Sequence, residues 1–170
     1  MATLHHNISG ELTQELLAAG DNVNVSKISL TNIQKVSKCK VDLYIEKKLT
    51  GRFYLLKGVE LPIGTTLVYD DTKFSNATNG YGLYIKLTDG ATFTLTGTID
   101  PIADPTVTGV GTLFLSEVSV GDEIVVTGET RIVASIASNT ELEVTVATTN
   151  TLNDTTPDCN PTALVDVIIN

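Results

Sequence analysis

The chain has 170 residues, of which 42% are hydrophobic, with no Trp and a formal net charge of −9. This length holds one medium domain or two small ones, and the acidic excess disfavours nucleic-acid binding, which relies on Lys and Arg against phosphates. No apolar run is long enough to span a bilayer and no secretory signal is visible at the start, so we expect a protein that folds in a cytoplasm.

Strand signals dominate the first hundred residues. Residues 10–19 suit a short helix or a strand, and we interpret them as extended because a Gly20-Asp21-Asn22 turn precedes a strand-like run. The alternation is clearest at 40–46, which places apolar side chains on one face and polar side chains on the other. The apolar face comprises Cys39, Val41, Leu43 and Ile45, and the polar face comprises Asp42, Tyr44 and Glu46.

Five further strands are predicted in this part of the chain. We expect Leu83, Ile85 and Leu87 to point into a core. The turn Asp89-Gly90 predicts a hairpin that joins the last two strands. These strands cover residues 23–31, 52–56, 65–69, 83–88 and 91–98.

The region 101–157 is interpreted as a separate small β-module. It is bounded by Pro101, Pro105 and Pro157 and is followed by a single strand-like run, 163–169. A lone strand does not fold by itself, so this last run must pair with residues that precede the module. Inside the module we predict one helical turn at 113–118, strands at 123–126, 131–135 and 142–146, and a return linker at 148–161.

The predicted fold class is all-β: an antiparallel β-sandwich, jelly-roll or Ig-like, carrying an inserted small β-barrel-like module. The carrier comprises residues 1–100 and 158–170, and the module comprises residues 101–157. Two cysteines, Cys39 and Cys159, are too few for a disulfide framework, and we expect both to be reduced.

Three stretches of the carrier resemble a known domain. Ile28-Ser-Leu-Thr-Asn32, Val41-Asp-Leu-Tyr-Ile45 and the run from Tyr54 through Leu61-Pro-Ile-Gly-Thr65 to Val68 resemble a β-sandwich domain found in virion structural proteins of tailed bacteriophages. The runs 82–87 and 165–169 are similar to late strands of that domain, with the insert in place of its usual short connection.

The inserted module resembles a small β-unit that recurs in phage tail and baseplate proteins. The matching motifs are Gly109-Val-Gly-Thr112, Val120-Gly-Asp122, Gly128-Glu-Thr-Arg131 and Ser138-Asn-Thr140. Phe114 is displaced by one position from the aromatic residue of that unit. These motifs consist of turns and core positions, so the resemblance implies architecture and no catalytic residues.

Catalytic and metal-binding patterns are weak. His5-His6 has no Cys or His cluster to complete a metal site, and Asp70-Asp71 is not part of a spaced calcium loop. A Ser or Cys nucleophile would need a nearby His base, and both His residues lie at the extreme N-terminus, a poor place for precise geometry. We therefore expect no enzymatic activity, no catalytic residues, no cofactor and no bound metal.

The loop around residues 74–81 is the best candidate for a recognition surface. It is polar and carries two aromatic residues, and loops of this kind on sandwiches often contact partners or sugars. The alternative is that its aromatic side chains pack onto the core. The candidate contact residues are Phe74, Asn76, Asn79 and Tyr81.

Two functions remain open from the sequence. The first is a non-enzymatic structural component of a tailed-phage virion: a decoration, neck or tail/baseplate adaptor protein that contacts other virion proteins. It would be assembled in the bacterial host cytoplasm and form a homo-oligomer, with a trimer favoured. The second is a receptor- or carbohydrate-binding module of a fibre or tail, which the low aromatic content of 5% disfavours. Residues 1–9 are expected to lack an internal partner and to order against a neighbouring subunit.

Overall fold

The structure is a computed structural model that describes residues 3–47, 50–71, 73–76 and 80–170. It is nearly all β, with antiparallel sheets, as the sequence predicts. In chain order the elements are β1 (Leu4–Ser9), β2 (Gln14–Leu17), β3 (Asn24–Val25), β4 (Ile28–Asn32), β5 (Cys39–Lys47), β6 (Gly51–Leu61), β7 (Thr66–Tyr69), β8 (Phe74–Ser75), β9 (Gly82–Thr88), β10 (Phe93–Thr94), β11 (Thr98–Pro101), β12 (Thr106–Val110), α1 (Phe114–Glu117), β13 (Glu123–Val126), β14 (Glu129–Ser138), β15 (Glu141–Val144), β16 (Asp158–Asn160) and β17 (Leu164–Ile169).

The chain divides into two compact units. Unit 1 comprises residues 1–34, 38–89 and 163–170, and unit 2 comprises residues 35–37 and 90–162. The limits of unit 2 differ from the 101–157 expected from the prolines, because β10, β11 and β16 pair with strands of that unit. No helix among the described residues is long and apolar enough to cross a membrane.

Unit 1 contains two antiparallel four-stranded sheets. Their strand orders are β1-β17-β4-β7 and β2-β9-β5-β6, and β3 and β8 form a separate short pair. Alternate residues of both sheets share one hydrophobic cluster, which is the core of a β-sandwich. The predicted inward positions are confirmed at β9, where Leu83, Ile85 and Leu87 are fully buried.

The last strand, β17, lies inside a sheet of unit 1. It pairs with β1 on one side and with β4 on the other, which confirms that the final strand pairs with residues preceding the module. The prediction that residues 1–9 lack an internal partner is wrong, because all six residues of β1 are in register with β17. In β1, Ile8 is buried and Leu4 packs against the core. The polar residues His5, His6 and Asn7 between them hide this strand pattern in the sequence.

Unit 2 is built on a seven-stranded sheet with the order β10-β16-β13-β14-β15-β12-β11. The single helical turn is confirmed as α1, and Phe114 is buried in the core of this unit. Closure into a barrel is not confirmed, since β10 and β11 end the sheet and do not pair with each other within residues 80–170. The return segment includes a strand, β16, and a single bridge between Ile99 and Asp154.

The hairpin predicted at Asp89-Gly90 is wrong. β9 pairs with β2 and β5, whereas β10 pairs with β16. Asp89 is instead a bracing residue of unit 1. Its amide donates to Glu11 and its carboxylate accepts a hydrogen bond of 2.6 Å from the amide of Ala163.

Candidate interaction surface

The strand end and the turn that carry the first resemblance contact each other in unit 1. Asn32 at the end of β4 is fully buried, and its Nδ2 donates to the carbonyl of Leu61 at 3.0 Å. Its backbone also bonds to Gly64 at 3.1 Å and to Thr65 at 3.0 Å. Gly64 has a φ of +65°, which favours glycine. The Thr-Asn strand end therefore holds the Leu-Pro-Ile-Gly-Thr turn in place.

The motifs of the second resemblance also meet in space. Thr112 is buried, and its Oγ1 donates to the carbonyl of Asn139 at 2.6 Å. The Asn139 side chain accepts a bond from the amide of Leu115 at 3.1 Å, at the start of α1. A Cβ at Gly109 would collide with the Thr112 side chain. The Gly-x-Gly-Thr and Ser-Asn-Thr motifs are thus two halves of one structural contact.

Asp122 of the Val-Gly-Asp motif is a buried carboxylate that fastens the chain inside unit 2. Its two oxygens accept hydrogen bonds from the amides of Ser119 at 2.8 Å and Thr162 at 2.9 Å. Burial, with the Asp122 charge nearby, raises the pKa of the Cys159 thiol to about 12. Both cysteines are free and buried, and Cys39 belongs to the core cluster of unit 1, which confirms its predicted inward position. Burial likewise raises the pKa of the Cys39 thiol to about 11.

Glu129 and Arg131 of the Gly-Glu-Thr-Arg motif form an ion pair that organises a neighbouring loop. The Glu129 carboxylate accepts backbone hydrogen bonds of 2.9 Å from both Thr149 and Asn150. The hydroxyl and the amide of Thr149 lower the pKa of Glu129 below its usual value. This motif too holds the fold together rather than forming a reactive site.

The four residues of the predicted contact loop do not share one environment. Asn76 is fully buried, with its Nδ2 2.6 Å from the carbonyl of Ala18 and its Oδ1 2.7 Å from the amide of Val23. Phe74 packs against the core of unit 1. Tyr81 meets the ring of Phe53 edge-on at 5.8 Å, and Asn79 lies outside the described residues.

Within the described part of the chain, the two histidines do not form a metal site with other ligands. His5 and His6 are adjacent on β1, and with Asp166 of β17 they line a pocket of about 360 Å³. Among the described residues, no group of three or more His, Cys, Asp and Glu side chains is arranged to hold a metal ion.

The most organised polar surface lies elsewhere, on the outer face of the β2-β9-β5-β6 sheet. Tyr54, Tyr44 and Tyr84 stand opposite one another on β6, β5 and β9. The Tyr44 ring is 5.4 Å from that of Tyr54 and 5.6 Å from that of Tyr84, against which it stacks. The Tyr84 ring leans over Gly82, where a Cβ would lie 2.9 Å from it.

Two cations cover this row of rings. The guanidinium carbon of Arg52 lies 4.1 Å from the Tyr44 ring centroid, and the ammonium of Lys57 lies 4.4 Å from that of Tyr54. Arg52 also bonds to Glu46 at 3.0 Å and Lys57 to Asp42 at 2.6 Å. We call Tyr44, Tyr54, Tyr84, Arg52 and Lys57 the tyrosine cluster.

Contacts within the tyrosine cluster, and with Asp42 beside it, shift the pKa of several groups. The hydrogen bond from Arg52 lowers the pKa of Tyr54, whereas burial and the hydrogen bond to Glu15 raise the pKa of Tyr84 to about 12. Partial burial raises the pKa of Asp42, but hydrogen bonds from Lys57 and the Gly58 amide outweigh it and leave the pKa below its usual value.

Tyr44 is the most unusual member of the cluster. It is 1% exposed although it lies on the face predicted to be polar, and its hydroxyl has no hydrogen-bond partner among the described residues. Sequence reasoning missed the cluster because the three tyrosines align only once the strand register is known. The available signal was one tyrosine on each of three predicted strands.

Comparison with known proteins identifies no relative. No protein-family model matches the chain, and no curated protein matches it. The crystal structure of a serine protease of Aeromonas sobria aligns with 99% of this chain and 27% of its own, at 10% identity and a TM-score of 0.30. The structure of infectious bursal disease virus Gt strain aligns with 98% of this chain and 31% of its own, at 9% identity and a TM-score of 0.28. The chain thus spans less than a third of either structure, and likenesses this low carry no argument about function.

Proposed function

We propose that this chain is a non-enzymatic structural component of a tailed-phage virion that acts through symmetric protein–protein contacts. Decoration, neck and tail/baseplate adaptor roles all fit this class. It would be assembled in the bacterial host cytoplasm, contact other virion proteins and form a homo-oligomer, with a trimer favoured.

The observation that carries the proposal is the contact of Asn32 with the turn at residues 61–65. Two of the three carrier stretches behind the phage resemblance are about thirty residues apart and meet as one buried contact. A chance match of short motifs gives no reason for such a meeting. The parallel contact between Thr112 and Asn139 supports the second resemblance in the same way.

The arrangement of the remaining motif residues favours a building block over an enzyme. The carboxylate oxygens of Asp122 and Glu129 accept hydrogen bonds from backbone amides of their own unit. A general acid or base needs a carboxyl that is free to exchange a proton with a substrate. These two carboxylates serve the fold instead.

The alternative is a receptor- or carbohydrate-binding module. Three neighbouring tyrosine rings favour it, because aromatic rings are a common surface for sugar binding. Sugars stack on exposed ring faces, and here Arg52 covers Tyr44 while Lys57 covers Tyr54. A sugar would have to displace both cations. We therefore place this function second.

Mass spectrometry of separately purified capsids and tails tests the proposal. We expect peptides of this chain in one of the two fractions, which also locates it on the particle. Absence from both fractions, together with binding of the purified protein to a glycan array, would replace the proposal with the alternative.

A further inference from the structure

We infer that the tyrosine cluster is the surface through which copies of this chain associate with one another. The inference rests on the proposed function, in which identical copies repeat a contact around an axis. It adds the location of that contact and identifies its occupant as a second copy.

The charge of the surface is the first argument. Three ion pairs connect β6 with β5 or with Lys38 just before it: Lys38–Glu60, Arg52–Glu46 and Lys57–Asp42. Two further cations, Lys40 and Lys86, are exposed on the same face, so this face is not acidic and the formal net charge of −9 falls on other residues of the chain. Two acidic copies repel each other over most of their surface, and this face is where they can approach.

The pairs are also able to exchange partners. The side chains of Arg52 and Glu46 are 43% and 41% exposed, and exposed ion pairs contribute little stability. Arg52 on one copy can therefore bond to a carboxylate of the next without a large loss. A face that carries both signs in close alternation is complementary to itself.

The composition of the cluster suits a contact between proteins. Tyr and Arg are the residues most enriched where interface binding energy concentrates. Tyr54 is 42% exposed, and its neighbour Tyr44 is fixed between two rings and Arg52. Because the rings are already ordered, association costs little side-chain entropy.

The size of the face sets the strength of the contact. The strand β6 has 11 residues, which corresponds to a length of about 36 Å, and four strands span about 14 Å between their outer axes. Because β2, β9 and β5 are shorter than β6, the area is at most about 500 Å², which is smaller than the roughly 800 Å² per partner of a standard interface. The isolated contact is therefore expected to be weak, and a closed ring reinforces it by joining each copy twice.

Sedimentation velocity from about 10 µM to about 1 mM tests the inference. We expect concentration-dependent association of the unmodified chain that weakens at least tenfold in Arg52→Glu and Tyr54→Ser. The matched controls are Lys73→Glu, which makes the same charge change at another exposed position, and Val110→Ser, which removes an apolar side chain that is 72% exposed. Circular dichroism and thermal melts establish that all four variants fold.

Three outcomes would overturn the inference: a monomer throughout the concentration range, equal losses in Arg52→Glu and Lys73→Glu, or full association in Tyr54→Ser. Binding of the same proteins to purified phage particles is measured separately. Particle binding that depends on Arg52 without self-association would assign the surface to a different virion protein and leave the proposed function intact. Absence of particle binding would count against the proposed function itself.

Discussion

The carboxylate of Asp122 accepts a 2.9 Å hydrogen bond from the backbone amide of Thr162, 40 residues further along the chain. The same carboxylate accepts a hydrogen bond from the amide of Ser119, and Asp122 is only 1% exposed. The bond holds Thr162, the last residue of unit 2, two residues before β17 begins in unit 1. One motif aspartate therefore ties the last segment of unit 2 to its core.

Replacing Asp122 by Ala is expected to destabilise unit 2 by about 3 kcal/mol, since two charge-assisted hydrogen bonds to backbone amides are lost. Urea denaturation measures this change. Asp122→Asn is the matched variant, because it retains an acceptor oxygen and should lose less. Equal stability of Asp122→Ala and the unmodified chain would show that these bonds contribute nothing net.

Replacing Asn76 by Ala should cost roughly 2–4 kcal/mol of stability, because the Ala18 carbonyl and the Val23 amide lose their side-chain partner. The exposed neighbour Ser75 provides the control as Ser75→Ala, which should be nearly neutral. Thermal unfolding separates the two variants. A neutral Asn76→Ala variant that loses particle binding would instead support Asn76 as a contact residue.

Adjacent residues of β17 should respond in opposite ways to the same kind of change. The strand β17 lies between β1 and β4. Its residue Val167 is 1% exposed and faces the core, whereas Ile168 faces outward. Val167→Thr buries a hydroxyl and is expected to cost about 1–3 kcal/mol, while Ile168→Thr should cost less. Denaturant titrations of both variants measure the difference, and a larger loss in Ile168→Thr would contradict the register of β17.

Acid should weaken unit 1 through Asp42. Because the folded pKa of this carboxyl lies below its ordinary value of 3.8, its contribution is present at neutral pH and is lost as the pH falls through the folded pKa. Asp42→Asn should therefore be less stable than the parent at pH 7, and this difference in stability should close as the pH falls through the folded pKa. Denaturation at several pH values measures this, with the exposed Asp71 replaced by Asn as the control. A stability difference between Asp42→Asn and the parent that does not change with pH would show that Asp42 is not the cause of the acid sensitivity.

The alternation of apolar and polar residues correctly predicted strands in which one face meets the core and the other meets solvent. The apolar positions Leu83, Ile85 and Leu87 are buried because one face of a regular strand meets the core. Tyr44 follows the same alternation yet is buried on the opposite face. Its burial comes from Tyr54 and Tyr84, and the register of Tyr54 depends on irregularities in β6 that no local pattern indicates.

Other misses come from contacts distant in sequence. The Asp89-Gly90 pair has the residues of a hairpin turn, but β9 is already paired on both sides by β2 and β5. Asn76 looked like an exposed loop residue because its partners lie more than fifty positions earlier. Side chains that brace a distant backbone leave no periodic signal.

Quantitative mass spectrometry of intact purified phage particles tests the central claim most directly. If this chain is a virion building block, each particle contains multiple copies, and the copy number is a multiple of the number of subunits in one ring. A particle that contains no copies of the chain, from infected cells in which the chain is abundant, would contradict it.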